Sequence, residues 1–191
     1  MSEDSKLVGK QQLKMIMSDL TGLPPVELPP DVTIRTWRTG DEDVWSRIMN
    51  TGIGDDWTPD KVRAELVTKP QFDPEGVFFA VLDGDVVGSA TAWRSSAEET
   101  ATGTVHMVCV LPQARGKNLG YLLVLRVLHY FREHGYLSVD LTTDDFRVPA
   151  IKSYLCLGFQ PVMIDETHVE RWRDIRSSFE KRGNDVCGIS C

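Results

Sequence analysis

A chain of 191 residues, 41% hydrophobic and 26% charged, has the material for one soluble domain with an ample core and no need of a second. Its net charge of −7, carried without a basic stripe, argues against a nucleic-acid partner, and no apolar run approaches the length of a membrane span. The polar start Met1-Ser2-Glu3-Asp4-Ser5-Lys6 offers no signal peptide, so the expected location is the cytoplasm.

Residues 1–31 read as an N-terminal arm, because the stretch Leu23-Pro24-Pro25-Val26-Glu27-Leu28-Pro29-Pro30 can be neither helix nor central strand. Within the arm, Leu13 to Met17 offers a short strand or an apolar contact. Val32 to Trp37 alternates as a strand, and Asp41 to Met49 reads as a helix with Val44, Trp45, Ile48 and Met49 at helical spacing. Thr58-Pro59 announces a second helix to about Val67, with Thr58 as its N-cap. Between Gly40 and Asp60 six acids face Arg47 alone. That charge would steer a cationic acceptor such as a protonated amine, or Asp41, Glu42 and Asp43 simply open a helix and complement its dipole.

Val77 to Leu82 and Val86 to Trp93 flank Asp83-Gly84-Asp85, the signature of a hairpin on a two-residue turn. Thr102 to Val110 is the next strand, Asn118 to His134 a helix closed by Gly135, Tyr136 to Thr143 a strand, and Val148 to Leu157 a helix closed by Gly158. Phe159 to Ile164 completes about six strands, and Glu166 to Lys181 forms a C-terminal helix with Val169, Trp172, Ile175 and Phe179 on one face. That face covers its own sheet or, as the lesser alternative, meets a second copy, which leaves monomer and homodimer both open. Cys109 and Cys156 fall in apolar patterns and read as buried core thiols; Cys187 and Cys191 read as a loose exposed terminus, with no His nearby to complete a metal site.

The stretch most telling of function is Val105 to Gly120, a strand, a short turn and the start of a long helix. Arg115-Gly116-Lys117-Asn118-Leu119-Gly120 gathers main-chain amides, two glycines and two cations at a helix N-terminus, the setting that favours a pyrophosphate. It is neither a Walker A loop nor a GxGxxG fingerprint. This segment resembles the acyl-CoA binding turn of the GNAT superfamily of N-acetyltransferases, Arg/Gln-x-x-Gly-x-Gly/Ala, with Asn118 where the middle glycine is usual. Asparagine tolerates positive φ best after glycine. Downstream, Ala150-Ile151-Lys152-Ser153-Tyr154-Leu155-Cys156-Leu157-Gly158-Phe159 is similar to the superfamily's Ala-x-x-x-Tyr-x-x-x-Gly-Phe segment, in the correct order and spacing.

The resemblance covers Val32 to Ile164 and implies an α/β, GNAT-like domain: a mixed, mostly antiparallel sheet of about six strands flanked by helices. Residues 165–191, the C-terminal helix and tail, lie outside it and would pack on the same domain. It implies acetyl-CoA as cosubstrate, no metal, and a coenzyme site built from Val108, Cys109, Val110, Arg115, Gly116, Lys117, Asn118, Leu119, Gly120 and Tyr121. The strand before the turn would splay from its neighbour at a bulge, presenting the main-chain groups of Val108 and Val110 to the pantetheine and thioester, with Cys109 pointing the other way. Arg147 stands where a cofactor-binding asparagine is frequent, and Asp144-Asp145 would instead cap the following helix.

Acetyl transfer to an amine needs an unprotonated nucleophile, donors for the oxyanion and a proton for the leaving thiolate. Tyr154 stands in the superfamily's frequent general-acid position; the competing reading is a core aromatic with a hydrogen-bonded hydroxyl. His106 shares by period two the face of Thr104 and Val108, suited to relay a proton near neutral pH, and is otherwise a satisfied histidine on a buried strand. Asp55, Asp56 and Trp57 are the candidates for holding an amine, with plain surface charge as the alternative. The function expected is acetyl-CoA-dependent N-acetyl transfer to a primary amine of a small molecule or peptide, directly in a ternary complex. The rivals are an inactive acyl-CoA-binding regulatory module and an acyltransferase with another acyl donor or an oxygen acceptor.

Overall fold

The computed structural model describes residues 11–181. The described residues divide into two compact units, 17–140 and 11–16 with 141–181. Seven strands are present among the described residues: β1 Leu13–Met17, β2 Val32–Thr36, β3 Val77–Leu82, β4 Asp85–Trp93, β5 Thr102–Val110, β6 Ser138–Thr143 and β7 Gln160–Val162. The helices are α1 Glu42–Met49, α2 Pro59–Val62, α3 Leu119–Glu133, α4 Val148–Leu157 and α5 His168–Lys181. No helix among the described residues is long and apolar enough to cross a membrane.

In the larger unit the strand order is β2-β3-β4-β5-β6; the first four pair antiparallel and β5 pairs β6 in parallel. Asp83 and Gly84 both take positive φ (52° and 91°), the two-residue turn that matches the twist of flanking strands, so Leu82 meets Asp85. Cross-strand partners share a face, which sorts the side chains into two layers. Phe79, Ser89 and Cys109 lie on the face covered by α1, where Trp45 meets Phe79 edge-on at 6.0 Å and the Cys109 thiol donates to Ile48 O. Phe78, Gly88 and Gly103 lie on the face covered by α3: Phe78 meets Tyr130, and a Cβ at Gly88 or Gly103 would run into Leu123 or Phe131. With helices on both faces, α3 is buried over most of its circumference, as its apolar sequence requires.

α1 opens on Asp41, whose carboxylate grips the Arg35 guanidinium with both oxygens (2.6 and 2.8 Å) and accepts from Arg38 N. α2 is capped by Thr58, whose hydroxyl accepts from Lys61 N, and runs into a π turn over Arg63–Val67.

The smaller unit holds the second half of β6, then β1 and β7 paired antiparallel, with α4 and α5. β1 belongs to the sheet, so part of the expected arm is a strand and the strand count rises to seven. On α5, Trp172, Ile175 and Phe179 are buried as expected, while Val169 is exposed. Arg171 on α5 binds Asp145 through both Nε and Nη2 and donates to Gln11 O. Asp145 is thus committed to α5, and Asp144 accepts from Gln12 and Arg147. Neither carboxylate caps α4, whose start carries no side-chain cap, and the expectation that they would is corrected. Cys156 is disulfide-bonded rather than a free core thiol. Cys109 is free and buried. Cys187 and Cys191 lie outside the described residues.

Candidate functional site

The turn between β5 and α3 is shaped by a short 3-10 segment at Pro112–Ala114, followed by two residues in left-handed conformation, Gly116 (φ 85°) and Asn118 (φ 59°). Asn118, the residue before α3, adopts the positive φ that its resemblance to a glycine position calls for. The consequence is a row of outward-facing donors. The main-chain N–H groups of Gly116 through Tyr121 donate to no oxygen among the described residues, and the first intrahelical bond is Leu122 N to Asn118 O. Six unengaged amides beside the positive end of α3, a fifteen-residue helix, form an anion cradle.

The space in front of that cradle is open. A Cβ at Gly116 would meet nothing within 4 Å, and one at Gly120 only Val110 Cγ2 at 4.0 Å. The Arg115 side chain is exposed and its Nε donates to Val110 O (3.3 Å). Lys117 is committed to Asp31 at 3.0 Å, and this pairing holds the Asp31 carboxyl below the usual carboxylate range. Of the two cations expected to serve an anion, Arg115 is the one without a carboxylate partner among the described residues. Leu119 is buried under the first turn of α3 and anchors it; Tyr121 is half-buried beside it. These features fit the diphosphate of a coenzyme A ester: amides to accept its charge, glycines where its oxygens need close approach, and one adaptable guanidinium.

β5 feeds this turn with an irregular edge. Ser89 pairs Cys109 and Thr91 pairs His106, so two residues of β5, Met107 and Val108, stand opposite Ala90 alone. This is a β-bulge, with Met107 at φ 50°. β5 pairs β6 only over Thr102–Thr104, and from Val105 onward its ladder is with β4 alone. Leu111 N donates to Val87 O (2.8 Å), so the alternate residue Val110 turns its main-chain groups to the unpaired edge.

The bulge also corrects the period-two argument for His106. Strict alternation puts Val108 on the face of His106; the extra residue puts Cys109 there instead, together with Thr104, Thr91 and Trp93. The His106 ring is half-buried 5.8 Å from that of Trp93, and burial pushes its pKa below the ordinary histidine value. The ring is therefore neutral near pH 7, the form that accepts a proton. Thr104 donates to Asp140 (2.8 Å).

In the smaller unit, Tyr154 of α4 is buried against Phe159, ring centroids 5.9 Å apart, and its hydroxyl makes no hydrogen bond among the described residues. Burial pushes the phenol up to about 12, opposed by the positive charge of Arg147. Arg147 itself binds Asp144 (2.9 Å) and lies over the exposed Phe146 ring.

Two of the three acceptor candidates, Asp56 and Trp57, already hold a cation. Lys61 Nζ lies 2.7 Å from Asp56 and 4.8 Å from the centroid of the Trp57 ring. Trp57 is fixed by two backbone hydrogen bonds to the Asn50 side chain, while Asp55 is exposed. Sequence reasoning missed Lys61; its position four residues beyond Trp57, in the first turn of a helix, was the available signal. Glu99 spends its carboxylate on the amides of Ala101 and Thr102 and shapes the loop before β5.

The acetyltransferase (GNAT) family pattern matches residues 43–159. A mycothiol acetyltransferase from Thermomonospora curvata is 37% identical over 149 residues, 75% of this chain and 49% of that one. The chain thus spans about half the length of the curated relatives it matches. Among solved structures, a GCN5-related N-acetyltransferase from Sphaerobacter thermophilus superposes with a TM-score of 0.66 at 23% identity, over 80% of this chain and 50% of its own. The yncA protein of Salmonella typhimurium, solved with its cofactor acetyl-CoA, superposes with a TM-score of 0.54 at 24% identity, over 68% and 80%. The match over residues 43–159 takes in the bulged strand, the amide-lined turn and the Tyr154 helix alike, and with it this chain belongs to the acetyltransferase (GNAT) family.

Proposed function

We propose that this chain transfers the acetyl group of acetyl-CoA to a primary amine of a small molecule or peptide, directly in a ternary complex. The observation that carries the reading is the run of six unengaged amides from Gly116 to Tyr121 in front of open space at Gly120. These amides, with Arg115, take the coenzyme's diphosphate, and the main-chain groups of Val108 and Val110 take the pantetheine and the thioester carbonyl. The bulge supports that role because it leaves backbone donors on an edge that no strand among the described residues pairs.

His106 accepts the proton that the acceptor's ammonium must lose before its nitrogen can attack. The amine lone pair then adds to the thioester carbon, the tetrahedral intermediate collapses, the C–S bond breaks with its electron pair on sulfur, and the surplus proton on the new amide nitrogen passes to that thiolate, leaving a neutral amide and the free thiol. Tyr154 is the donor for that thiolate. With its phenol near 12 and a thiol near 8.5, complete proton transfer from phenol to thiolate is uphill by roughly 5 kcal/mol, so the hydroxyl acts chiefly by hydrogen bonding to the thiolate. An acceptor ammonium would replace Lys61 between Asp56 and Trp57, which is why a cationic acceptor fits this surface.

The test is a panel of amines, amino acids, polyamines, aminoglycosides and peptide N-termini, incubated with acetyl-CoA and read by free-thiol release. The relatives' name puts mycothiol-related amines first in that panel. Thiol release dependent on one amine class supports the reading. Tight acetyl-CoA binding with no release across the panel favours a regulatory coenzyme-binding module instead.

A further inference from the structure

The register of β4 against β5 leaves two polar groups without partners side by side. Thr91 stands directly opposite His106, and residues so placed share a face with Cβ atoms about 4.5–5.5 Å apart. Thr91 is 1% exposed, and its hydroxyl has no hydrogen-bond partner among the described residues. The His106 ring makes no hydrogen bond among them either. Three neighbouring polar side chains on this face are engaged: Ser89 donates to Met107 O, Thr104 to Asp140, and Cys109 to Ile48 O.

A buried hydroxyl without a partner is costly, and a valine would occupy the same volume in a strand at no such cost. What distinguishes threonine here is that its oxygen both donates and accepts, the property needed to hold an imidazole in either protonation state. The bulge begins at the residue after His106, and such irregularities re-aim side chains beside active sites.

We propose that Thr91 is a positioning residue for His106: its hydroxyl orients the imidazole by accepting from one ring N–H when the other ring nitrogen takes the acceptor's ammonium proton. This rests on the reading of His106 as the base. In the transfer, the ammonium N–H gives its proton to that ring nitrogen, the amine keeps its lone pair, and the imidazole becomes imidazolium.

The charged groups around this ring are accounted for. Asp140, reached through Thr104, accepts the threonine hydroxyl; Glu42 of α1, the helix on this face, pairs with Arg63; Asp43 and Arg47 of that helix face solvent; Arg94 follows Trp93; and the Cys109 thiol is bound to a carbonyl. Burial is the cause of the ring's lowered pKa, so a neutral oxygen that stabilises the protonated ring is the variable left to change.

The experiment compares Thr91→Val and Thr91→Ser in the full chain, with Thr91→Ala as a smaller replacement should valine perturb folding. An imidazole NMR titration of His106, which needs no acceptor, is run beside the pH profile of kcat/KM with the productive amine. Removing the oxygen that accepts from the imidazolium should lower the His106 pKa by about half a pH unit or more, shift the acidic limb the same way and reduce kcat about tenfold. Acetyl-CoA affinity should stay unchanged, and Thr91→Ser should restore the parent values. An unmoved His106 titration in Thr91→Val overturns the proposal. If His106→Gln abolishes the acidic limb but Thr91→Val leaves it in place, the proposal alone fails. If the limb survives His106→Gln, the reading of His106 as the base fails and the proposal with it.

Discussion

Replacing Gly120 by alanine or by glutamate should push stability and coenzyme affinity in opposite directions. Gly120 lies in the first turn of α3, and its Cβ position is free of contacts closer than 4.0 Å, so neither side chain strains the protein itself. Alanine in place of a helical glycine stabilises by about 0.5–1 kcal/mol, and an acid in a helix's first turn adds about 0.3–1 kcal/mol through the dipole. The same Cβ stands where an anion must approach the amides of Gly116 to Tyr121. Displacing one charge-assisted hydrogen bond costs about 1.5–3 kcal/mol, which for Gly120→Ala is an affinity loss of about 10- to 100-fold. Glutamate displaces at least two and adds like charge, so Gly120→Glu should weaken acetyl-CoA about 10²- to 10⁴-fold. Calorimetric titration with acetyl-CoA and thermal melts of the same samples read both quantities. Unchanged affinity in Gly120→Glu, with the melting temperature held, would refute the reasoning, because no other feature of the turn offers clustered free amides.

Tyr154→Phe should lower kcat about 100-fold with little change in KM, since the hydroxyl acts on charge that develops only as the C–S bond breaks; its stability should hold within about 0.5 kcal/mol because that hydroxyl makes no hydrogen bond to lose. Activity that requires neutral His106 rises with pH through the pKa of the ring, and burial places that acidic limb below the ordinary value of about 6.5, while Tyr154, at about 12, contributes no alkaline limb near neutrality; kcat/KM against pH in wild type and His106→Gln checks both. Arg171→Met should destabilise the protein by about 2 kcal/mol in denaturant melts, because it leaves Asp145 and Gln11 O without their shared donor, with the partial exposure of Asp145 tempering the loss. Gly103→Ala should be worse, about 3 kcal/mol or aggregation on expression, since a Cβ there runs into the Phe131 ring of α3.

Much of this fold was legible because particular residues allow one local geometry. Asp83-Gly84 dictates a hairpin, Thr58-Pro59 a helix start, and the apolar circumference of α3 a helix buried between layers. The geometry of the turn before α3 was legible for the same reason: Gly116 and Asn118 are residue types that reach positive φ, and they do. The bulge was not legible from local chemistry. Met107 takes φ 50° with no glycine or asparagine to announce it, so period-two counting from His106 reached the wrong neighbour, Val108 in place of Cys109. Long-range pairings were hidden too. Nothing in Asp144-Asp145 reveals that one carboxylate is claimed by Arg171 and the other by Gln12 and Arg147, and a cap is the local default when tertiary partners are unknown. The acidic window around Asp55 and Asp56 looked unpaired because Lys61 reaches back to it only once α2 has formed.

Amide NMR of the full chain during titration with acetyl-CoA probes the proposed coenzyme cradle directly, without mutation and without knowledge of the acceptor. The largest shift changes, with slowed hydrogen exchange, are predicted at the N–H groups of Gly116 through Tyr121, followed by Val108 and Val110, while the amides of the Asp83-Gly84 hairpin turn stay still. Saturable binding that leaves Gly116 to Tyr121 unperturbed, or no binding at millimolar acetyl-CoA, would contradict the assignment of this turn as the coenzyme site and the acetyl transfer inferred from it.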